Sequence, residues 1–105
     1  MRSSYKINSF NDIFKSLCEL YKPKSILEIG ILDGFSLMSF VESVSEKTDI
    51  VAIDLFNLYE FKNSEKNEIE QKFKENKNVQ ILQGDFYEFY KKCGSFDLIH
   101  IDISN

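Results

Sequence analysis

Short apolar runs alternate with amphipathic segments along this chain, in the order typical of an α/β protein. The run at residues 26–31 is apolar without helical spacing, as expected for a parallel strand that is covered on both faces. Similar runs predict strands over residues 50–54, 79–82 and 96–103. Apolar residues at helical spacing predict helices over residues 9–21, 35–43, 64–75 and 86–92. The 105 residues therefore predict a single domain, 1–105, with helices on both faces of a parallel sheet.

The first predicted helix carries an apolar stripe that should pack on the sheet. Ser9 and Asp12 have the spacing of a capping box at its start, and Pro23 follows its end. The stripe comprises Phe10, Ile13, Phe14, Leu17, Leu20 and Tyr21. In the third predicted helix, Ile69 and Phe73 form the buried side, and the charged residues form a solvated face.

Two glycines follow the first strand, in the pattern Glu28-x-Gly30-x-x-x-Gly34. Glycine lets main-chain amides approach a ligand, and the amides at the start of the next helix point toward it. Asp54 ends the second strand about twenty residues on, where a Rossmann-like unit places its ribose-binding acid. The spacing lacks the G-x-G-x-x-G of dinucleotide sites and the G-K-[ST] of P-loops, which disfavours a nicotinamide-dependent enzyme and a nucleotide hydrolase. The pattern favours a ligand that has no phosphates and carries a cationic part.

Four motifs in order resemble the class I S-adenosylmethionine-dependent methyltransferases. The segment ILEIGILDGFSL resembles the first motif of that family, and IVAIDLF resembles the second. The segment NVQILQGDFYEF is similar to the third. FDLIHID resembles the fourth strand in a branch that modifies sugars and small molecules and carries the same His-Ile-Asp triplet. The resemblance covers residues 24–105 and implies a three-layer, Rossmann-like α/β domain with S-adenosylmethionine as its cofactor.

The resemblance implies that the glycine loop and two acids hold most of the cofactor. Gly30, with its neighbours from Ile31 to Gly34, would pass under the methionine part and the sulfonium. Glu28 would brace this loop or reach the amino group. Asp54 would accept hydrogen bonds from both ribose hydroxyls.

The adenine base and the reacting methyl group would lie against later segments, again by resemblance. Asp85 would bind the adenine amino group, with the Phe86 amide offered to a ring nitrogen and the side chain of Phe86 or Leu55 packing on the base. Asp102 would face the methyl group, with His100 nearby. The implied reaction is an in-line methyl transfer to a small or sugar-like acceptor, at oxygen, and it leaves open whether Asp102 is a general base or a metal ligand.

Each of these residues also has a purely structural interpretation. Gly30 and Gly34 could mark a tight turn, and Asp54 or Asp85 could cap a helix. His100 is more often a packed strand residue than a catalytic one. Acids at the ends of several strands nevertheless favour a ligand site, because the carboxyl ends of parallel strands meet at one edge of a sheet.

The family sheet has seven strands, whereas the chain predicts four, so we expect an N-terminal half-domain that is truncated after the fourth strand. The strand at 96–103 would then lie at an open edge, and long apolar edge strands invite pairing. A missing C-terminal half, a partner or a second copy in a homodimer would complete the domain. The alternative function is a non-catalytic cofactor-binding or scaffold module that pairs through this edge strand.

Composition restricts the partners. The net charge of -4 leaves no basic footprint for nucleic acid. No apolar run approaches the ~20 residues of a membrane span, and residues 1–10 lack a signal-peptide core, so a cytoplasmic protein is expected. Cys18 and Cys93 lack metal-ligand spacing and are expected to be reduced thiols, with no metal site predicted.

Overall fold

Four parallel strands form a sheet, and helices cover both of its faces. The computed structural model describes residues 10–31, 34–56 and 65–102, with the backbone alone at Phe10. In chain order the elements are α1 (Phe10–Tyr21), β1 (Ser25–Ile29), α2 (Phe35–Ser43), β2 (Asp49–Asp54), α3 (Lys66–Lys72), β3 (Val79–Gln83), α4 (Phe86–Phe89) and β4 (Leu98–Ile101). The predicted fold class is confirmed.

The strands lie in the order β3-β2-β1-β4. Ile26 of β1 pairs with Ile50 of β2 on one side and with Leu98 of β4 on the other, and β2 pairs with β3 in the same parallel sense. β1 and β2 are therefore the inner strands. β4 is an edge strand within the described part of the chain, as predicted.

Alternate strand residues face opposite sides of the sheet and build two apolar layers. The first layer joins the sheet to α1, α2 and α3, and its buried members are Phe14, Cys18, Ile26, Ile31, Leu37, Phe40, Ile50, Ala52, Phe56, Ile69 and Phe73. The second layer is smaller and centres on Leu27, Ile29 and Ile53, with Phe86 and Phe89 of α4 packed against it. Three helices on one face and α4 on the other give the three-layer architecture.

α1 places only part of its apolar stripe on the sheet. Phe14 and Cys18 are buried, one turn apart on the same side of the helix. Ile13, Leu20 and Tyr21 are 51%, 71% and 70% exposed. The prediction that the whole stripe packs on the sheet is thus wrong. Ile13 and Leu20 lie on another side of the helix from Phe14 and Cys18, and Tyr21 is the last residue of α1.

Several elements are shorter than predicted. α3 ends at Lys72 because the backbone of Phe73 leaves helical geometry, although Ile69 and Phe73 are buried as predicted. α4 ends at Phe89, and a turn in which the Lys92 N–H donates to the Phe89 carbonyl leads into Gly94. β4 spans four residues instead of eight.

The predicted ends at Ser9, Ser64 and Ile103 lie outside the described residues. None of the helices in the described ranges combines the length and apolar character that a membrane crossing requires.

Candidate functional site

The loop after β1 turns sharply through two glycines. Gly30 and Gly34 have φ angles of 90° and 88°, in the left-handed region that glycine adopts without steric cost. The Gly30 N–H donates to the Ile53 carbonyl over 2.8 Å, and the Gly34 N–H donates to the Ile31 carbonyl over 3.0 Å. These bonds fix both ends of the loop, so the backbone is presented at the carboxyl edge of the sheet.

Gly34 also lies against α3. A Cβ added to Gly34 would come within 3.4 Å of the Phe73 ring and 3.5 Å of the Ile69 side chain. Gly34 precedes α2 directly, and no side chain among the described residues caps this helix start. The first-turn amides of α2 point toward the loop, and the start of a helix favours anionic or polar ligand groups.

Asp54 ties the end of β2 to the glycine loop. Its Oδ2 accepts from the backbone N–H of Ile31 over 2.7 Å, and its Oδ1 accepts from the backbone N–H of Phe56 over 2.8 Å. The side chain is half-buried. Since each carboxylate oxygen can accept two hydrogen bonds, Asp54 can hold both loops and still accept from a ligand hydroxyl.

Glu28 is a carboxyl group in the middle of β1 with no exposed surface. The Ser36 hydroxyl donates to its Oε1 over 2.7 Å, and Nδ1 of His100 lies 3.3 Å from its Oε2. Burial raises the pKa of Glu28, the hydrogen bonds from His100 and Ser36 oppose this rise, and the nearby charge of Asp102 adds to it. The group thus links β1 to α2 and β4.

His100 lies among aromatic rings of the first apolar layer. Its imidazole meets the rings of Phe14 and Phe40 edge-on, with centroid distances of 5.0 Å and 5.6 Å. Two residues farther along, the Asp102 N–H donates to the Ile29 carbonyl over 2.8 Å, which extends the β1 and β4 pairing to the carboxyl edge. The half-buried Asp102 therefore lies beside the glycine loop.

Asp85 caps α4. Its Oδ1 accepts from the backbone N–H of Tyr87 over 2.9 Å, which is the contact expected of a residue that caps a helix. Phe86 packs into the second apolar layer and against the rings of Phe89 and Tyr90, with centroid distances of 6.4 Å and 6.0 Å. Leu55 is half-buried, and its carbonyl accepts from the Gln83 side chain over 3.4 Å.

The predicted site residues fall into two groups. The surface group gathers at the carboxyl ends of the strands, where the Gly84 N–H donates to the Asp54 carbonyl over 3.0 Å and joins β3 to β2. The buried group is the contact of Glu28 with His100. Sequence analysis missed Ser36 as the third member of this buried group. The signal was a carboxylate inside a buried strand, which needs hydrogen-bond partners.

Among the described residues, no cluster of three or more His, Cys, Asp or Glu side chains has the arrangement of a metal site. Cys18 and Cys93 are free thiols, and burial raises the pKa of Cys18.

Comparison with protein-family models matches residues 27–105 to a methyltransferase domain. Comparison with curated protein sequences finds no match.

Solved structures of methyltransferases share the fold. The SAH-bound methyltransferase PaMTH1 of Podospora anserina is 25% identical with a TM-score of 0.73, over 98% of this chain and 42% of that one. The O-methyltransferase of Bacillus cereus in complex with SAH is 17% identical with a TM-score of 0.73, over 97% of this chain and 46% of that one. The O-methyltransferase TomG of Streptomyces achromogenes in complex with SAM is 17% identical with a TM-score of 0.72, over 90% and 44%. The chain spans less than half the length of each of these structures.

Proposed function

The chain belongs to the methyltransferase domains, in the class I S-adenosylmethionine-dependent family, and from this premise we propose that it binds S-adenosylmethionine for methyl transfer to an oxygen of a small-molecule acceptor. The observation that carries the proposal is the contact of Asp54 with the Ile31 N–H at the carboxyl edge of the sheet. The SAM and SAH complexes of proteins with this fold support it. Because the chain spans 42 to 46% of those structures, the whole reaction is part of the proposal.

The described residues fit this cofactor on two counts. Gly30 and Gly34 carry no Cβ at the bends of the loop, so an uncharged thioether or a sulfonium can lie close to the backbone. Asp54 keeps acceptor capacity on both oxygens after binding its two backbone amides, which matches a pair of adjacent hydroxyls.

We assign the ribose hydroxyls to Asp54 and the methionine part to the loop from Gly30 to Gly34. The adenine amino group is assigned to Asp85, whose cap uses Oδ1 and would leave the contact to Oδ2. The Phe86 ring is held in the second apolar layer, so its backbone amide is the better candidate for the base, and Leu55 supplies the apolar contact.

S-adenosylmethionine supplies a methyl group on a positively charged sulfur, so the protein contributes mainly position and orientation. Asp102 lies beside the glycine loop and is assigned the role of general base, which takes the proton of the acceptor hydroxyl. The acceptor oxygen bonds to the methyl carbon as the bond from that carbon to sulfur breaks. Glu28 has no exposed surface, which supports the bracing role over a direct contact with the amino group.

Calorimetric titration of the purified chain with S-adenosylhomocysteine (SAH) tests the proposal. We expect saturable binding, and Asp54→Ala should weaken it by about 1–3 kcal/mol through the lost hydrogen bonds to the ligand. Asp49→Ala, at the exposed start of the same strand, is the matched control and should bind as the wild type does. A folded chain that does not bind SAH would overturn the proposal.

A second candidate function is a scaffold that pairs through β4. Ile99 and Ile101 of this edge strand are 51% and 61% exposed, which is unusual for paired apolar strand residues. Light scattering during the same titration separates the two functions, because a scaffold that needs no cofactor would self-associate with and without SAH and with Asp54→Ala.

A further inference from the structure

The buried contact of Glu28 with His100 lies between the proposed cofactor loop and β4. The two residues are direct register partners in the β1 and β4 pairing, and their side chains meet on the face covered by α1 and α2. The side chain of Glu28 is fully buried and that of His100 is 17% exposed. A carboxyl group in such surroundings must be hydrogen-bonded to be tolerated, so its partners are fixed to it.

The partners of Glu28 connect two elements that contribute to the proposed site. Ser36 lies in the first turn of α2, two residues after Gly34, and its hydroxyl donates to Oε1 over 2.7 Å. His100 belongs to β4 and approaches Oε2 from the other side. A displacement of His100 would therefore move the carboxyl group that holds the first turn of α2.

The rings of Phe14 and Phe40 fix the imidazole from the side opposite to the strand. Both meet it edge-on, and both are buried. Packing thus orients the ring of His100. The same packing directs Nδ1 at Glu28, as rotation of an exposed side chain would not. A phenylalanine at this position would keep the packing and lose the polar contact.

We propose that His100 is a positioning residue: through Glu28 and Ser36 it fixes the start of α2 and the glycine loop from Gly30 to Gly34. This rests on the proposed function for its purpose, since that loop is the part assigned to the methionine end of the cofactor. The positioning itself is a property of the chain without ligand, which makes the two separable.

Two substitutions of His100 divide its packing from its hydrogen bond. His100→Phe keeps an aromatic ring between Phe14 and Phe40 but has no donor, whereas His100→Asn places a side-chain nitrogen near the position of Nδ1 but lacks the ring. If His100 only packs, His100→Asn should be the more harmful change. If His100 is a positioning residue, His100→Phe should perturb the loop more, and His100→Asn should lower the thermal stability more.

The readout is amide hydrogen exchange, measured by NMR on the whole chain without ligand. In His100→Phe we expect the Gly34 and Ile31 amides to exchange about tenfold faster, the effect of losing one hydrogen bond. The Ile50 amide, which donates to the Asn78 carbonyl at the opposite end of the sheet, is the internal reference and should not change. Ile99→Ala, on the exposed face of the same strand, is the matched control variant.

Ser36→Ala tests whether His100 acts through Glu28 and Ser36. Alone it should accelerate exchange at Gly34 as His100→Phe does, and the two changes combined should give no further acceleration, because both break the same chain of contacts. If His100→Phe does not fold, the exchange rate of Gly34 in Ser36→Ala still tests the proposal. The proposal would be overturned if the Gly34 amide exchanged at the wild-type rate in His100→Phe or in Ser36→Ala. It would also be overturned if the effects of the two changes added up in the double variant.

SAH titration of the same variants distinguishes this inference from the proposed function. We expect His100→Phe to weaken SAH binding about tenfold, in step with the exchange at Gly34, and His100→Asn to restore most of it. If the wild type does not bind SAH while the exchange pattern holds, the positioning stands and the cofactor assignment fails. If SAH binds equally to all variants, His100 does not position the cofactor loop.

Discussion

The carboxylate of Asp54 accepts the backbone N–H of Ile31 over 2.7 Å, so the end of β2 and the loop after β1 are held together by a side chain. Asp54→Asn replaces one of the two accepting oxygens by a donor and breaks one of the backbone contacts. We expect the free energy of unfolding to fall by about 1–2 kcal/mol, as for a lost hydrogen bond to a charged group. Urea denaturation measures this, with Asp49→Asn as the control. Equal stability of both variants would mean that the contact does not hold the loops.

Gly34→Ala should destabilise the chain through both backbone and packing. The left-handed φ of 88° costs a residue with a Cβ about 1–2 kcal/mol, and the new Cβ would lie 3.4 Å from the Phe73 ring, at the near limit of ordinary van der Waals contact. Gly94→Ala is the matched control, because Gly94 has a φ of 74° and nothing within 4 Å of the added Cβ. Thermal or urea unfolding should show a larger loss for Gly34→Ala, and a loss equal to that of Gly94→Ala would exclude the packing contribution.

The stability of the chain should depend on pH through Glu28. Burial raises its folded pKa above the ordinary value of 4.5, so between 4.5 and the folded pKa the folded state binds more protons than the unfolded state. The stabilisation from this group is therefore complete below pH 4.5 and is lost as the pH rises through the folded pKa. Urea denaturation over a pH series should show this decline in the difference between wild type and Glu28→Gln. A difference that stays constant or grows with pH would contradict the raised pKa.

Two substitutions separate the capping role of Asp85 from its proposed contact with the ligand. Asp85→Ala should lose the hydrogen bond to the Tyr87 N–H and about 1 kcal/mol of stability, whereas Asp85→Ser should keep the cap. If Asp85 also binds the adenine amino group, Asp85→Ser should still weaken SAH binding, because the shorter hydroxyl does not reach as far. Paired unfolding and calorimetric measurements check this, and wild-type affinity in Asp85→Ser would leave Asp85 as a cap alone.

The exposed side of β4 should govern self-association. Ile101→Lys places a charge on a side chain that is 61% exposed, so it should leave the fold stable while opposing pairing through this edge. We expect any dimer seen by light scattering to dissociate in this variant. Lys91→Glu, a charge change outside β4, is the control. A dimer that persists in Ile101→Lys would place the interface elsewhere.

Much of the fold follows from local sequence. The predicted helix over residues 35–43 has the observed bounds: it begins directly after Gly34, and the backbone becomes extended at Val44. Short apolar runs without helical spacing predict all four strands, because such runs leave few alternatives. The four motifs identified the family correctly, since they combine these strands with the residues that follow them.

The features that the sequence does not predict depend on distant parts of the chain. The exposure of Leu20 follows from where the sheet lies beneath α1, which no local pattern contains. The partners of Glu28 follow from the β1 and β4 register, which brings His100 beside it across more than seventy residues. The capping contact of Asp85, by contrast, is one of the two interpretations that its sequence position supports. The ligand roles of the site residues stay predictions.

The pairing of β1 with β4 has a consequence for synthesis of the chain. Glu28 and His100 are separated by 72 residues, so Glu28 leaves the ribosome long before its imidazole partner has been made. Closing a loop of this length carries a larger entropic cost than the pairing of β2 with β1 or of β3 with β2, and contacts of such separation form late. A nascent chain can therefore assemble β1, β2 and β3 first, with Glu28 still accessible to water. Burial of that carboxyl group would then mark the last step of folding for the described part of the chain.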